Sequence, residues 1–166
     1  MAHNDGGLRC LSNIPLSDIR EAESRLRGVS VRTPLIPYNV EDCSGQQIYL
    51  KLENLQTIGS FKLRGAYYAI KCLDPSVLKH GICTSSAGNF GQGLAWSAKQ
   101  LDIPCTVIVP ENAPTIKLEA IARHGGNNVS IKQIPYLEWW DVMCKHYYPG
   151  MQGTFIHPVC DADVIA

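Results

Sequence analysis

The sequence predicts an α/β protein in which helices and strands alternate around a parallel sheet. Of its 166 residues, 45% are hydrophobic, which is enough for the core of one or two small domains. From Gly81 onward, short apolar stretches rich in β-branched residues alternate with amphipathic stretches, and glycine-containing turns separate them. This alternation is typical of right-handed βαβ units.

The charge balance excludes several classes of partner. Fifteen basic residues cancel fifteen acidic ones, so no overall field attracts nucleic acid or an anionic membrane. The apolar runs, such as residues 106–110, are too short to span a bilayer, and residues 1–9 lack the layout of a signal peptide. We therefore expect a cytoplasmic protein with small-molecule or protein partners.

The cysteines and histidines show no metal-binding pattern. The seven cysteines are spaced irregularly, and the five histidines are scattered along the chain. No pair of cysteines has the two-residue gap of a zinc or redox motif, and no two histidines flank a glutamate at helical spacing. We expect reduced, partly buried thiols and no metal site.

The region before residue 80 is predicted to contain two helices and one strand. Ser17 is suited to cap a helix over residues 17–28, whose apolar residues recur at helical spacing. Two prolines require residues 31–38 to be extended, and alternating apolar residues predict a strand over 47–53. Ser60 is suited to begin a second helix that reaches residue 70.

The region after residue 80 is predicted from periodicity and from the glycines and prolines at its boundaries. We expect no closing element over residues 161–166, which suggests a truncated product or a fragment. The predicted elements are a short strand after Gly81, a helix over 94–101, a strand over 105–109, a helix over 115–124, a strand over 129–134, a helix over 136–147 and a strand over 154–156.

Lys62 is the first candidate for chemistry. It lies in the first turn of the predicted helix and two residues from Arg64. The positive end of a helix and a neighbouring cation both disfavour the charged ammonium form, and a neutral amine can attack an aldehyde to form an imine. The alternative is a solvated lysine that begins an amphipathic helix.

A second candidate is the polar segment over residues 84–93, which follows an apolar stretch and precedes a predicted helix. Hydroxyl groups and backbone N–H groups at the start of a helix can bind a carboxylate. The alternative is a capped strand-to-helix turn. A dinucleotide-binding loop is disfavoured, because the glycines at 88, 91 and 93 occur in the reverse of the order that this fingerprint needs.

Together these segments resemble the fold-type II pyridoxal-phosphate enzymes, in the branch of threonine dehydratase, serine dehydratase and serine racemase. Ser60–Ala66 is similar to the cofactor-lysine motif, Ser86–Asn89 to the substrate-carboxylate loop, and residues 32–35 and 51–53 to flanking segments. The resemblance extends from about Ile14 to the end. It implies a tryptophan-synthase-β-like fold, with part of the large domain over 1–80, a small α/β domain over 81–158 and a truncated return to the large domain over 159–166.

The resemblance also assigns roles to individual residues. Lys62 would bind pyridoxal 5′-phosphate as an imine and later take the α-proton of the substrate. Phe61 would lie against the cofactor ring, and Asn89 would hydrogen-bond its 3′-hydroxyl. The residues implied in binding the substrate carboxylate are Ser86, Ala87, Gly88 and Asn89.

The implied reaction is that of an L-threonine or L-serine dehydratase, an ammonia-lyase that yields a 2-oxo acid and ammonia. One alternative is a catalytically incompetent fragment or isoform that acts only through partner binding, because the family's phosphate-binding loop would lie beyond Ala166. Another is a serine racemase-like enzyme, although racemases of this branch carry a serine where this chain has Ala87. The full-length form is expected to be a homo-oligomer.

Overall fold

The computed structural model describes residues 13–38 and 45–166 as an α/β fold. The helices are α1 Leu16–Arg25, α2 Lys62–Cys72, α3 Pro75–Leu78, α4 Asn89–Leu101, α5 Thr115–Gly125, α6 Tyr136–Lys145 and α7 Ala162–Ile165. The strands are β1 Leu35–Pro37, β2 Tyr49–Lys51, β3 Ile82–Ser85, β4 Cys105–Pro110, β5 Val129–Ile134 and β6 Thr154–Phe155.

The centre of the fold is a four-stranded sheet in the order β5-β4-β3-β6. All three pairings are parallel, with Ile82 opposite both Cys105 and Thr154, and Cys105 opposite Val129. Every residue of β3 is buried, as expected for a parallel strand covered on both faces. The predicted parallel sheet is therefore confirmed.

Helices cover both faces of this sheet. On one face, the largest apolar core joins residues of α2, α4 and α5 to the sheet, and it includes Ile70, Ile82, Leu94 and Ile121. On the other face, Val142 of α6 packs with residues of β3 to β6. Because Ile70 and Ile82 share one core, residues on both sides of position 80 pack together, and the domain division proposed there stays a prediction.

Helix α4 begins at Asn89, five residues earlier than the sequence predicts. The glycines at 91 and 93 make the segment look like a loop, but the structure uses them for close packing. A Cβ on Gly91 would lie 2.3 Å from the carbonyl oxygen of Ser86, and a Cβ on Gly93 would lie 3.2 Å from the carbonyl oxygen of Lys62. These glycines let α4 approach the loop before it and the start of α2.

The N-terminal region departs further from the predictions. The predicted strand over 47–53 shortens to Tyr49–Lys51, which pairs antiparallel with β1 and is exposed throughout. Alternation of apolar residues here therefore does not mark a buried face. The predicted N-cap at Ser17 is also wrong, because Pro15 occupies the N-cap position of α1.

The last residues form an element that the sequence does not predict. The short helix α7 begins after Asp161, whose carboxylate accepts a hydrogen bond from the N–H of Asp163 at 3.0 Å. It packs on α2, where a Cβ on Gly65 would lie 2.1 Å from the carbonyl oxygen of Val164. The prediction that residues 161–166 lack a closing element is wrong, because four residues with one side-chain cap are too short to show a helical period.

Two further expectations concern the whole chain. In the described ranges, Cys72, Cys83, Cys105, Cys144 and Cys160 are free thiols, and burial raises the pKa of Cys83 to about 12. The expectation of partly buried thiols fits four of these five but not Cys144, which is exposed; Cys10 and Cys43 lie outside the described residues. No helix within 13–38 or 45–166 has the length and apolarity needed to cross a bilayer.

Candidate active site

Lys62 is the first residue of α2, and its amine is held by the protein. Its backbone N–H donates to the hydroxyl of Ser60 at 3.3 Å, so Ser60 contributes to the helix start although Phe61 occupies the N-cap position. The Nζ atom donates to the carbonyl oxygen of Pro158 at 3.0 Å. It also lies 5.4 Å and 5.8 Å from the ring centroids of Phe61 and Phe90. This half-buried amine is not a freely solvated lysine.

Arg64 anchors the helix that carries Lys62. Its guanidinium binds the carboxylate of Glu53 in a two-point ion pair, with N–O distances of 2.8 Å and 2.9 Å, and it donates to the carbonyl oxygen of Val31 at 2.9 Å. The hydrogen bond from Arg64 is the main reason that the pKa of Glu53 falls to about 2. Arg64 is therefore a paired anchor rather than the unpaired cation beside Lys62 that the sequence suggests.

The loop over Ser86–Asn89 connects β3 to α4 and is fixed by the sheet. The N–H of Ser86 donates to the carbonyl oxygen of Ile108 at 3.0 Å. The Ser86 hydroxyl accepts hydrogen bonds from the N–H groups of Gly88 and Gly91, both at 3.3 Å. Ser86 thus closes the turn as a cap, in agreement with the simpler interpretation of this segment, and it keeps its own O–H donor for another partner.

The structure places the two predicted motifs next to each other. Asn89 is exposed at the first position of α4, and the following residue, Phe90, is buried against the amine of Lys62. A Cβ on Gly88 would meet no atom within 4 Å, so the space in front of the loop is open. The first N–H groups of α4 have no partners within the helix, as at any helix start. The site combines an amine, helix-start donors and open space.

Comparison with known proteins identifies the family. Residues 27–141 match the family described as pyridoxal-phosphate dependent enzymes. The chain belongs to this family. It is 37% identical over 157 residues to a serine racemase of Dictyostelium discoideum, covering 94% of this chain and 48% of that protein. It is 38% identical over 154 residues to an L-threonine ammonia-lyase of Thermotoga maritima, covering 92% of this chain and 38% of that protein.

Solved structures of the family agree. The crystal structure of the Dictyostelium discoideum serine racemase matches with a TM-score of 0.80 at 36% identity, over 93% of this chain and 50% of that one. The processed form of threonine deaminase isoform 2 from Solanum lycopersicum matches with a TM-score of 0.72 at 27% identity, over 96% of this chain and 48% of that one. The predicted family and fold are confirmed, and the chain spans about half the length of these relatives.

The residues around Lys62 fit the family's cofactor. The ring of Phe61 is 58% exposed and lies beside the Lys62 amine, where a flat aromatic group can pack on it. The amide of Asn89 is exposed and makes no hydrogen bond to any residue in 13–38 or 45–166, so it is free to bind a hydroxyl group. An amine, an aromatic face and an amide are groups that an aromatic aldehyde with a ring hydroxyl can use.

Sequence reasoning missed two contacts of the lysine. Phe90 follows Asn89 directly and could have been found by extending the loop motif by one residue. Pro158 lies 96 positions from Lys62 and contributes a backbone carbonyl. A carbonyl group is present at every residue, so no side-chain pattern marks this contact.

Proposed function

We propose that this chain carries the lysine-bearing part of a pyridoxal-phosphate-dependent lyase that converts L-threonine or L-serine to a 2-oxo acid and ammonia. The observation that carries the proposal is the position of the Lys62 amine, which contacts the carbonyl of Pro158 and the rings of Phe61 and of Phe90, the residue that follows the loop over 86–89. The L-threonine ammonia-lyase at 38% identity supports the same reaction class.

In this proposal each residue has a separate task. Lys62 holds the cofactor until the substrate's amino group takes the place of the lysine on it. The released amine of Lys62 then takes the proton from the substrate's α-carbon. Phe61 lies against the cofactor ring, and Asn89 binds the ring hydroxyl. When bound, pyridoxal phosphate supplies the electron sink that makes the α-proton acidic.

The loop is proposed to bind the substrate carboxylate. Ser86 offers its hydroxyl donor, and Ala87 and Asn89 offer backbone N–H groups at the positive end of α4. Gly88, whose own N–H binds the Ser86 hydroxyl, leaves open space for the carboxylate. Because the carboxylate is fixed there, the α-carbon is presented to the Lys62 amine. The β-hydroxyl leaves as water. Hydrolysis of the remaining product then consumes one water molecule and releases the 2-oxo acid and ammonia.

The proposal extends to the whole protein. This chain spans about half of the length of its relatives. We propose a cytoplasmic homo-oligomer, in line with the five free thiols in the described ranges. The predicted metal-free chemistry remains part of this proposal. The alternative to this proposal is that the chain as given binds a partner and does not turn over an amino acid.

Lys62 is tested by trapping the cofactor. The protein is incubated with pyridoxal phosphate, reduced with borohydride and mapped by mass spectrometry. We expect the label on Lys62, because its amine is the one beside Phe61 and the loop. Lys62→Arg should abolish the label, whereas the matched variant Lys71→Arg, at the other end of α2, should keep it. A label that is found mainly on Lys51 or Lys71 would contradict the proposal.

A serine racemase-like activity is the second candidate, because a serine racemase is among the relatives at 37% identity. Ala87 separates the two reactions. A hydroxyl at this position can return a proton to the face of the α-carbon opposite the lysine, and alanine has none to give. We expect the complete protein to form a 2-oxo acid from L-serine with little D-serine, and Ala87→Ser to raise the ratio of racemisation to elimination several-fold. Chiral analysis of the products measures this ratio. Abundant D-serine from the Ala87 protein would favour the racemase.

A further inference from the structure

The side chain of His157 organises the turn that follows β6. The imidazole is 3% exposed. Its Nδ1 atom accepts hydrogen bonds from the N–H groups of Val159 and Cys160, at 3.1 Å and 2.9 Å. Because Nδ1 accepts twice, it carries no proton, so the proton is on Nε2. That atom lies 3.2 Å from the carbonyl oxygen of Met143 and donates to it. One neutral ring thus uses both of its nitrogens.

The turn that His157 organises also contacts Lys62. Pro158 lies between the histidine and the two N–H groups that the histidine binds, and its carbonyl accepts the hydrogen bond of the Lys62 amine at 3.0 Å. The Pro158 carbonyl belongs to the same planar peptide group as the N–H of Val159, so the hydrogen bond from Val159 to the imidazole orients that carbonyl. The imidazole accepts the hydrogen bonds of the two N–H groups that follow Pro158 in the chain.

We propose that His157 is a positioning residue for Lys62, acting through the carbonyl of Pro158. The neutral imidazole holds the N–H groups of Val159 and Cys160, and this fixes the direction of the Pro158 carbonyl. The carbonyl in turn holds the lysine amine beside Phe61 and Phe90. The inference rests on the proposed function, in which Lys62 is the reacting amine.

The surroundings of the imidazole keep it neutral. Burial lowers the pKa of His157, and the neighbouring His146 lowers it further. The two rings lie 4.7 Å apart between centroids, edge to face. Lys62 of α2 binds the carbonyl of Pro158 next to it, and Cys160, whose N–H the ring binds, belongs to its own segment. A proton on Nδ1 would face the two N–H groups and remove their acceptor.

Two variants separate the two nitrogens. In His157→Asn, the amide oxygen takes the place of Nδ1 and can still accept from the N–H groups two and three residues ahead. In His157→Gln, the longer side chain can reach Met143 but no longer places an acceptor at the turn. If His157 only filled space in the core, the shorter asparagine would not preserve the position of Lys62 better than the longer glutamine.

The experiment measures two quantities on the full chain. Hydrogen exchange reports the N–H groups of Val159 and Cys160, and trace acetylation followed by mass spectrometry reports the reactivity of Lys62 relative to Lys71 on the same helix. In His157→Gln we expect the exchange rates and the ratio of Lys62 to Lys71 reactivity each to rise about fivefold. A change of this size corresponds to the loss of roughly one hydrogen bond. In His157→Asn we expect both to stay within about twofold of the original protein.

The inference is overturned if the exchange rates rise in His157→Gln while the Lys62-to-Lys71 ratio stays unchanged. It is also overturned if the two variants change that ratio equally. Circular dichroism identifies a variant that fails to fold, and the decision then rests on whether the other variant follows its expected values. Acetylation requires no pyridoxal phosphate, so a failure here is distinct from a failure of the borohydride test.

Discussion

Two segments flank the amine of Lys62, and they are built differently. The loop over residues 86–89 follows a fully buried strand and is tied to β4 by the backbone bond from Ser86 to Ile108. The turn over residues 157–160 follows a two-residue strand and depends on the side chain of His157. The first is fixed by the sheet and the second by one imidazole. A reacting group can thus be positioned by a rigid element on one side and by a single replaceable contact on the other.

The largest expected effect comes from disrupting the sheet-fixed side. In Gly91→Ala, the new Cβ would lie 2.3 Å from the carbonyl oxygen of Ser86, so the loop or α4 has to move. We expect a loss of about 2 kcal/mol in the free energy of unfolding, because overpacking outweighs the gain in helix propensity. Urea unfolding monitored by circular dichroism measures the change.

The matched control lies three residues earlier. In Gly88→Ala the new Cβ meets no atom within 4 Å, and the backbone there is extended with φ of −109°. We expect a loss of at most about 1 kcal/mol, because Gly88 is the N-cap of α4 and alanine caps a helix less well than glycine. Equal losses in the two variants would show that the loop is not fixed by close packing at Gly91.

A smaller effect concerns the anchor of α2, which is independent of both flanking segments. The pKa of Glu53 is lowered from its ordinary value of 4.5 to about 2, mainly by its hydrogen bond with Arg64. A carboxyl group whose pKa is lower in the folded state stabilises the fold above its unfolded pKa and loses this contribution as pH falls toward the folded pKa. We therefore expect the stability difference between the original protein and Glu53→Gln to be about 1–2 kcal/mol at pH 6 and to shrink between pH 5 and pH 2.5, allowing for partial exposure of Arg64.

Glu23 provides the comparison for this measurement. It pairs with Arg27 at 3.5 Å, and both side chains are about 70% exposed, so the pair is screened by solvent. Glu23→Gln should leave the pH dependence of stability unchanged. If Glu53→Gln behaves in the same way, the ion pair with Arg64 does not anchor α2.

The sequence predicts the buried elements well and the short exposed ones poorly. The strands β3 and β4 follow from short apolar runs with β-branched residues, since burial on both faces demands such residues. The edge strand β5 follows from its alternation of apolar and polar residues. The pair β1 and β2 is exposed, so apolar alternation there carries no information on which side faces the core. The start of α4 is missed because a glycine that permits close approach and a glycine that makes a turn look identical in a sequence.

The candidate site divides in the same way. Lys62, Phe61 and the loop over residues 86–89 are predicted because they lie in two local motifs whose residue types indicate the chemistry. The contact from Pro158 could not be predicted, since it depends on a tertiary fold that brings two positions 96 residues apart together. The role of His157 could not be predicted for a related reason. Its role arises from the bonds that its ring nitrogens make, and a lone histidine in a sequence gives no sign of them.

The glycines on α2 and α4 have a consequence for how the chain tolerates change. At Gly65 the helix α2 meets the main chain of α7, and at Gly93 the helix α4 meets the main chain at the start of α2. The helix that bears Lys62 is thus located by contacts of backbone against backbone on two sides. Apolar side chains elsewhere in the core can be exchanged for others of similar volume while the amine stays in place. One added methyl group at Gly65 would displace it.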